Sequence, residues 1–129
     1  MPNSQYNDVS ILQAAKEMLG GLYESQTTYD SDLISFINAE FAILWTQGIG
    51  PDEGFVIDAN TKWSEYITDP RLNNIRLYIQ TRLKITFDTP ENTGLLNALY
   101  QEADRLEKLI SWTTEHLKNE SVGGGKDTN

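Results

Sequence analysis

Residues 36–45, FINAEFAILW, run into residues 48–54, GIGPDEG, and the reading of this junction decides the fold. Leu33, Ile37, Phe41 and Leu44 recur at three and four residues, the repeat of one helical face, and Ile34 and Trp45 widen that stripe. Asp30 or Ser31 is expected to cap this helix, and Gly48 to stop it in a left-handed conformation. The glycines that follow invite a phosphate-binding reading, but a dinucleotide fingerprint needs a strand, then GxGxxG, then a helix. GIGPDEG has a different spacing and follows a helix. Pro51 removes an N–H donor, and Asp52 and Glu53 repel phosphate. A calcium loop starting at Asp58 fails as well, because Lys62 takes a ligand position and Trp63 stands where glycine is required. What remains is a turn: Gly50–Pro51 begins it, and Gly54 lets Phe55 return to the core.

Outward from this junction the periodicity stays helical. Val9, Leu12, Ala15, Leu19 and Leu22 predict a first helix near 9–20, broken at Gly20–Gly21. Asp69 followed by Pro70 reads as a cap and a first-turn proline. They open a helix that buries Leu72, Ile75, Ile79 and Leu83 and ends before Pro90. Thr89–Pro90 repeats that start signal for the longest helix, with Leu96, Leu99, Ala103, Leu106, Ile110 and Leu117 in register to about residue 118. Between residues 49 and 68, FVI reads as a short extended piece and TKWSEYI as a short helix carrying Trp63 and Tyr66. The expected fold is all-α: a small bundle of four principal helices plus a short one, with an irregular Gly/Pro-containing connection. A helical domain spans 1–118, and a flexible Gly-rich tail, 119–129, has the polarity of a segment that orders only on a partner.

Composition bounds the function. A chain of 129 residues with 39% apolar content supports one core. The absence of cysteine removes disulfides and thiolate metal sites and suits a reducing compartment. The polar start MPNSQYNDVS lacks the basic and apolar regions of a signal peptide, and no run reaches the length of a bilayer span. A net charge of −9 argues against gripping nucleic-acid phosphates. That charge is lopsided: residues 1–69 hold eleven acids against Lys16 and Lys62, while residues 70–129 hold eight of each sign. Arg71, Arg76, Arg82 and Lys84 follow one another with no acid between them, the pattern of a surface that meets an opposite charge. No catalytic, metal or cofactor constellation emerges. His116, the single histidine, falls near a helix C-terminus where the dipole favours it, and the tryptophans lack the interleaved basic groove of a base-stacking platform.

The order SILQAAKEMLG, YDSDLISFINAEFAIL, QGIGPDEGF, TKWSEYI, LYIQTRLKITFDTP and LEKLISW resembles head-tail connector (neck adaptor) proteins of tailed bacteriophages over roughly residues 10–116. The most specific parts are the GxGP turn behind an apolar Ile-Asn helix and the helix closing on LKITFDTP, where Thr89 replaces a proline common in the family. The resemblance implies a structural virion protein, not an enzyme. It would be made in the bacterial host cytoplasm and placed in the neck, where copies form a ring, usually of twelve, that extends the DNA channel. Its implied partners are other copies of itself, the portal protein and a downstream tail or head-completion protein. DNA would pass without specific binding, and no membrane is involved. On this reading Arg71, Tyr78 and Arg82, at spacings of seven and four, form one helix flank that, with Arg76 and Lys84, meets a neighbouring copy or the portal. Asp52 and Glu53 are candidates to face the channel, where carboxylates repel passing phosphates. Gly123, Gly124, Gly125 and Lys126 form the partner-binding part of the tail. A free-standing helical protein-binding module, regulatory in role, is the alternative.

Overall fold

The computed structural model of the protein describes residues 9–127, with side chains described for residues 9–120. The first eight residues of the expected domain, the side chain of Lys126 and the last two residues of the expected tail lie outside this range. The fold is all-α, as the periodicity requires, and no strand occurs among the described residues. In chain order the elements are α1 (Ile11–Leu19), α2 (Gly21–Ser25), α3 (Asp30–Thr46), α4 (Trp63–Tyr66), a 3-10 turn (Pro70–Leu72), α5 (Asn74–Phe87) and α6 (Thr93–Asp127).

The N-cap of α1 is Ser10, whose hydroxyl accepts from Gln13 N at 2.9 Å. Gly20, at φ 68°, ends the helix and turns the chain into α2. Helix α3 starts at Asp30 rather than being capped by it. Asp30 and Asp32 instead place negative charge in the first turn, where the helix dipole favours it, and Asp30 pairs with Lys16 of α1 at 2.9 Å. The apolar stripe of α3 is the centre of the core: Leu33, Ile37, Phe41 and Leu44 are buried against Ile11 and Leu12 of α1, Ile75, Ile79 and Leu83 of α5, and Leu106 and Ile110 of α6. Each such side chain contributes roughly 1.5–3 kcal/mol on burial, so this cluster dominates the stability of the domain. Phe41 also anchors an aromatic group, with ring centroids 4.4 Å from Tyr66, 5.4 Å from Phe55 and 5.9 Å from Trp63.

Gly48 does stop α3. At φ 81° it donates to Trp45 O while Ile49 N donates back to Leu44 O, and the buried pair Ile49 and Leu44 seals this Schellman ending. The FVI segment joins no sheet. Asn38 does a strand's work there: its Oδ1 accepts from Ile57 N at 2.7 Å and its Nδ2 donates to Ile57 O at 3.2 Å. This amide lets the irregular connection bury Ile57 without unpaired backbone.

Three helix boundaries differ from the sequence reading. Asp69 and Pro70 open a 3-10 turn, in which Asp69 accepts from Arg71 N, and α5 proper begins after Asn73. Thr89 does not start α6. Its hydroxyl donates to Ile85 O at 2.6 Å and closes α5, and Asn92 caps α6 by accepting from Leu95 N at 3.0 Å. Lastly, α6 runs past the expected end near residue 118, through to Asp127. Three consecutive glycines each cost about 1 kcal/mol relative to alanine in a helix, which is why sequence alone places the end earlier.

Candidate interaction surface

The surface builds outward from the ending of α3. Trp45, half exposed, folds over the turn and donates from Nε1 to Asp52 O at 3.0 Å, and Gly54 N donates to Pro51 O at 2.9 Å. The turn is therefore pinned from both sides. Asp52 and Glu53 stand exposed on it, and neither carboxylate enters an ion pair among the described residues. Gly50, at φ 102°, lies so close to Tyr66 that a Cβ there would sit 2.9 Å from the phenol oxygen. Burial pushes the Tyr66 phenol up to about 12.

The C-terminal third of α6 lies alongside this turn. Lys118 Nζ donates to Gly48 O at 2.9 Å, and Glu120 faces Arg71 at 3.5 Å. A groove of about 450 Å³ opens between the two, walled by Gly50, Pro51, Tyr66, Leu72, Thr114 and Leu117. Arg71 also pairs with Asp69 at 2.9 Å, and these bonds from the Arg71 side chain and backbone hold the Asp69 carboxyl below the usual range.

The basic stretch does not lie on one exposed flank of α5. Arg71 sits in the 3-10 turn, outside α5, and Tyr78 is buried in the core. Arg82, a third exposed, points inward, with Nε 3.5 Å from Glu40 Oε1 on α3. Burial pushes the Tyr78 phenol up to about 12, with Glu40 and Glu107 acting in the same direction. Lys84 pairs one turn along with Asp88 at 3.0 Å. Arg76 is left as the one arginine without a carboxylate partner among the described residues. It borders a cleft of about 220 Å³ with Trp63, Ser64, Ile67, Thr68 and Asn73.

Sequence periodicity missed the outer face of α6. Leu95, Leu109 and Trp112 are exposed there, and Trp112 stacks on His116 with centroids 5.1 Å apart and planes within 5°. Leu109, Trp112 and His116, at spacings of three and four, share one helical face away from the buried stripe. Gly123, Gly124 and Gly125 belong to the last turns of α6. Among the described residues, no group of acids and histidines could hold a metal ion and no helix is long and apolar enough to cross a membrane.

A family model described as phage connector protein matches residues 11–116, from the first residue of α1 to within α6. No curated protein and no solved structure matches the chain.

Proposed function

Because the chain belongs to the phage connector protein family, we propose that it joins the portal of the phage head to the tail as a ring of copies that extends the DNA channel. The family match over residues 11–116 carries this reading. Such a role is structural and needs no active site. A closed ring uses a heterologous interface, in which one surface of each copy meets a different surface of the next. The chain offers that asymmetry: an N-terminal half with a surplus of carboxylates and a C-terminal half in which charge balances. The acidic surplus also suits a passage that lets DNA slide, because carboxylates along it repel phosphates instead of holding them.

The portal contact is assigned to the exposed features that the core does not use: the aromatic outer stripe of α6 and the residues beyond Lys118, including Gly123–Gly125 and Lys126. Trp is enriched among residues that dominate interfaces, and Trp112 is the most exposed of the three tryptophans. Basic Arg71 and Lys84 are held by exposed ion pairs worth little in water, so they can exchange partners on assembly. A downstream tail or head-completion protein takes the opposite end of the ring.

The experiment is the mass of the protein mixed with isolated portal complexes. The reading expects many copies bound per portal. A protein that remains free beside intact portals would instead favour a free-standing helical module.

A further inference from the structure

On the ring reading above, we infer that the Asp52–Glu53 turn of one copy inserts its carboxylates into the Arg76 cleft of the next. This contact deepens that reading by naming both halves of the heterologous interface, and it assigns these two acids to a neighbouring copy instead of the channel wall.

The cleft has the chemistry of a carboxylate receptor. Trp63 and Ile67 give it an apolar wall, and Ser64, Thr68 and Asn73 supply hydroxyl and amide groups. Among the described residues, Arg76 is the only charged side chain lining it, in a chain of net charge −9. Every other arginine already faces a carboxylate: Arg71 with Asp69 and Glu120, Arg82 with Glu40, and Arg105 with Glu102. A guanidinium presents a planar fork matched to a carboxylate, and partial shelter from water strengthens that bond. At about 220 Å³ the cleft is smaller than the roughly 300–1,000 Å³ of small-molecule sites, which favours a side chain over a cofactor.

The same chain supplies the complement. Most acids of its N-terminal half are engaged: Asp30 with Lys16, Glu40 with Arg82, Glu17 with Gln13, Asp58 with Asn60 N and Thr61, Glu65 with Lys62 N, and Asp69 with Arg71. Of the remaining described acids of that half, Glu24, Asp32, Asp52 and Glu53, all exposed and unpaired among the described residues, only Asp52 and Glu53 are adjacent and share one turn. Their turn is fixed in advance by the Trp45–Asp52 and Gly54–Pro51 hydrogen bonds, so little ordering entropy is lost on docking. Because each copy carries one turn and one cleft, the contact repeats head to tail and closes when the rotation permits.

The absence of cysteine allows a direct test. The full-length double variant Glu53→Cys/Ser64→Cys, which keeps Asp52 and Arg76 to hold the contact, is assembled on isolated portals, treated with a bismaleimide because an ion pair holds its Cβ atoms farther apart than a disulfide allows, and run on a denaturing gel beside the wild type and each single variant. The expected result is a ladder of linked chains from the double variant, and nothing larger than a linked pair from a mixture of the two single variants. Rings on the portal with no ladder, or a cross-link closed within one chain, would overturn the contact and leave the ring reading standing. Wild-type protein that forms no ring on portals would overturn the ring reading, and the contact with it. As an independent readout, Arg76→Glu and Asp52→Lys/Glu53→Lys should each lose ring assembly while keeping wild-type helicity by circular dichroism. Combining all three substitutions should restore it, and failure to restore rings would count against direct pairing.

Discussion

Glu40, buried on α3, faces Arg82 of α5 across 3.5 Å, so the arginine is a structural counter-charge more than a surface feature. Removing one partner of such a pair leaves an uncompensated charge in the core, whereas removing both does not. Arg82→Ala should cost about 2 kcal/mol in urea unfolding, scaled down because the guanidinium is a third exposed. The double variant Glu40→Leu/Arg82→Leu should recover most of that loss. Equal stability for Arg82→Ala and wild type would show that the pair contributes nothing.

Asn38 holds both backbone groups of Ile57. Asn38→Ala strands a buried N–H and C=O together, at a cost of about 1–3 kcal/mol for each group left unsatisfied. Asn38→Asp keeps the acceptor for Ile57 N but sets a carboxylate oxygen against Ile57 O, so it too should fall below wild type. Thermal midpoints of both variants below that of wild type are the expected result, and an unchanged midpoint for Asn38→Ala would contradict it.

Gly50→Ala is expected to destabilise through two separable effects. The φ of 102° costs a side chain roughly 1–2 kcal/mol, and the new Cβ would press on the Tyr66 hydroxyl at 2.9 Å. Adding Tyr66→Phe removes the clash and not the backbone strain, so the double variant should recover only part of the loss. Full recovery would mean that the backbone at Gly50 is unstrained for alanine.

The tyrosines predict an alkaline limit. Tyr66 and Tyr78 are raised to about 12 by burial, from an ordinary value of 10. A raised folded-state value means that the stabilisation is complete below pH 10 and drains away as pH climbs from 10 toward 12. Tyrosinate absorbance from these two phenols should therefore rise together with loss of helical circular dichroism. Replacing both with Phe should move the unfolding to higher pH.

Much of this fold was legible because helical repeats and glycine stops are local signals. The stripe Leu33, Ile37, Phe41 and Leu44, the left-handed Gly48 and the short helix around Trp63 all follow from spacing alone. The misread boundaries share a cause. Thr89 and Asn92 can both accept or donate near a helix end, and only the three-dimensional course of the chain decides that one closes α5 while the other opens α6. The basic stretch was misread as one flank for a similar reason. A spacing of seven and four assumes one continuous helix, and the 3-10 turn breaks it. Burial of Tyr78 and the inward turn of Arg82 toward Glu40 depend on contacts about forty residues away, to which helical periodicity is blind.

The most direct measurement is the image symmetry of portal complexes after the protein is added. The account predicts an added ring coaxial with the portal, with the contact between Asp52–Glu53 and Arg76 repeated at every subunit boundary. Portals that keep their own outline, with the protein remaining as single free chains, would contradict it.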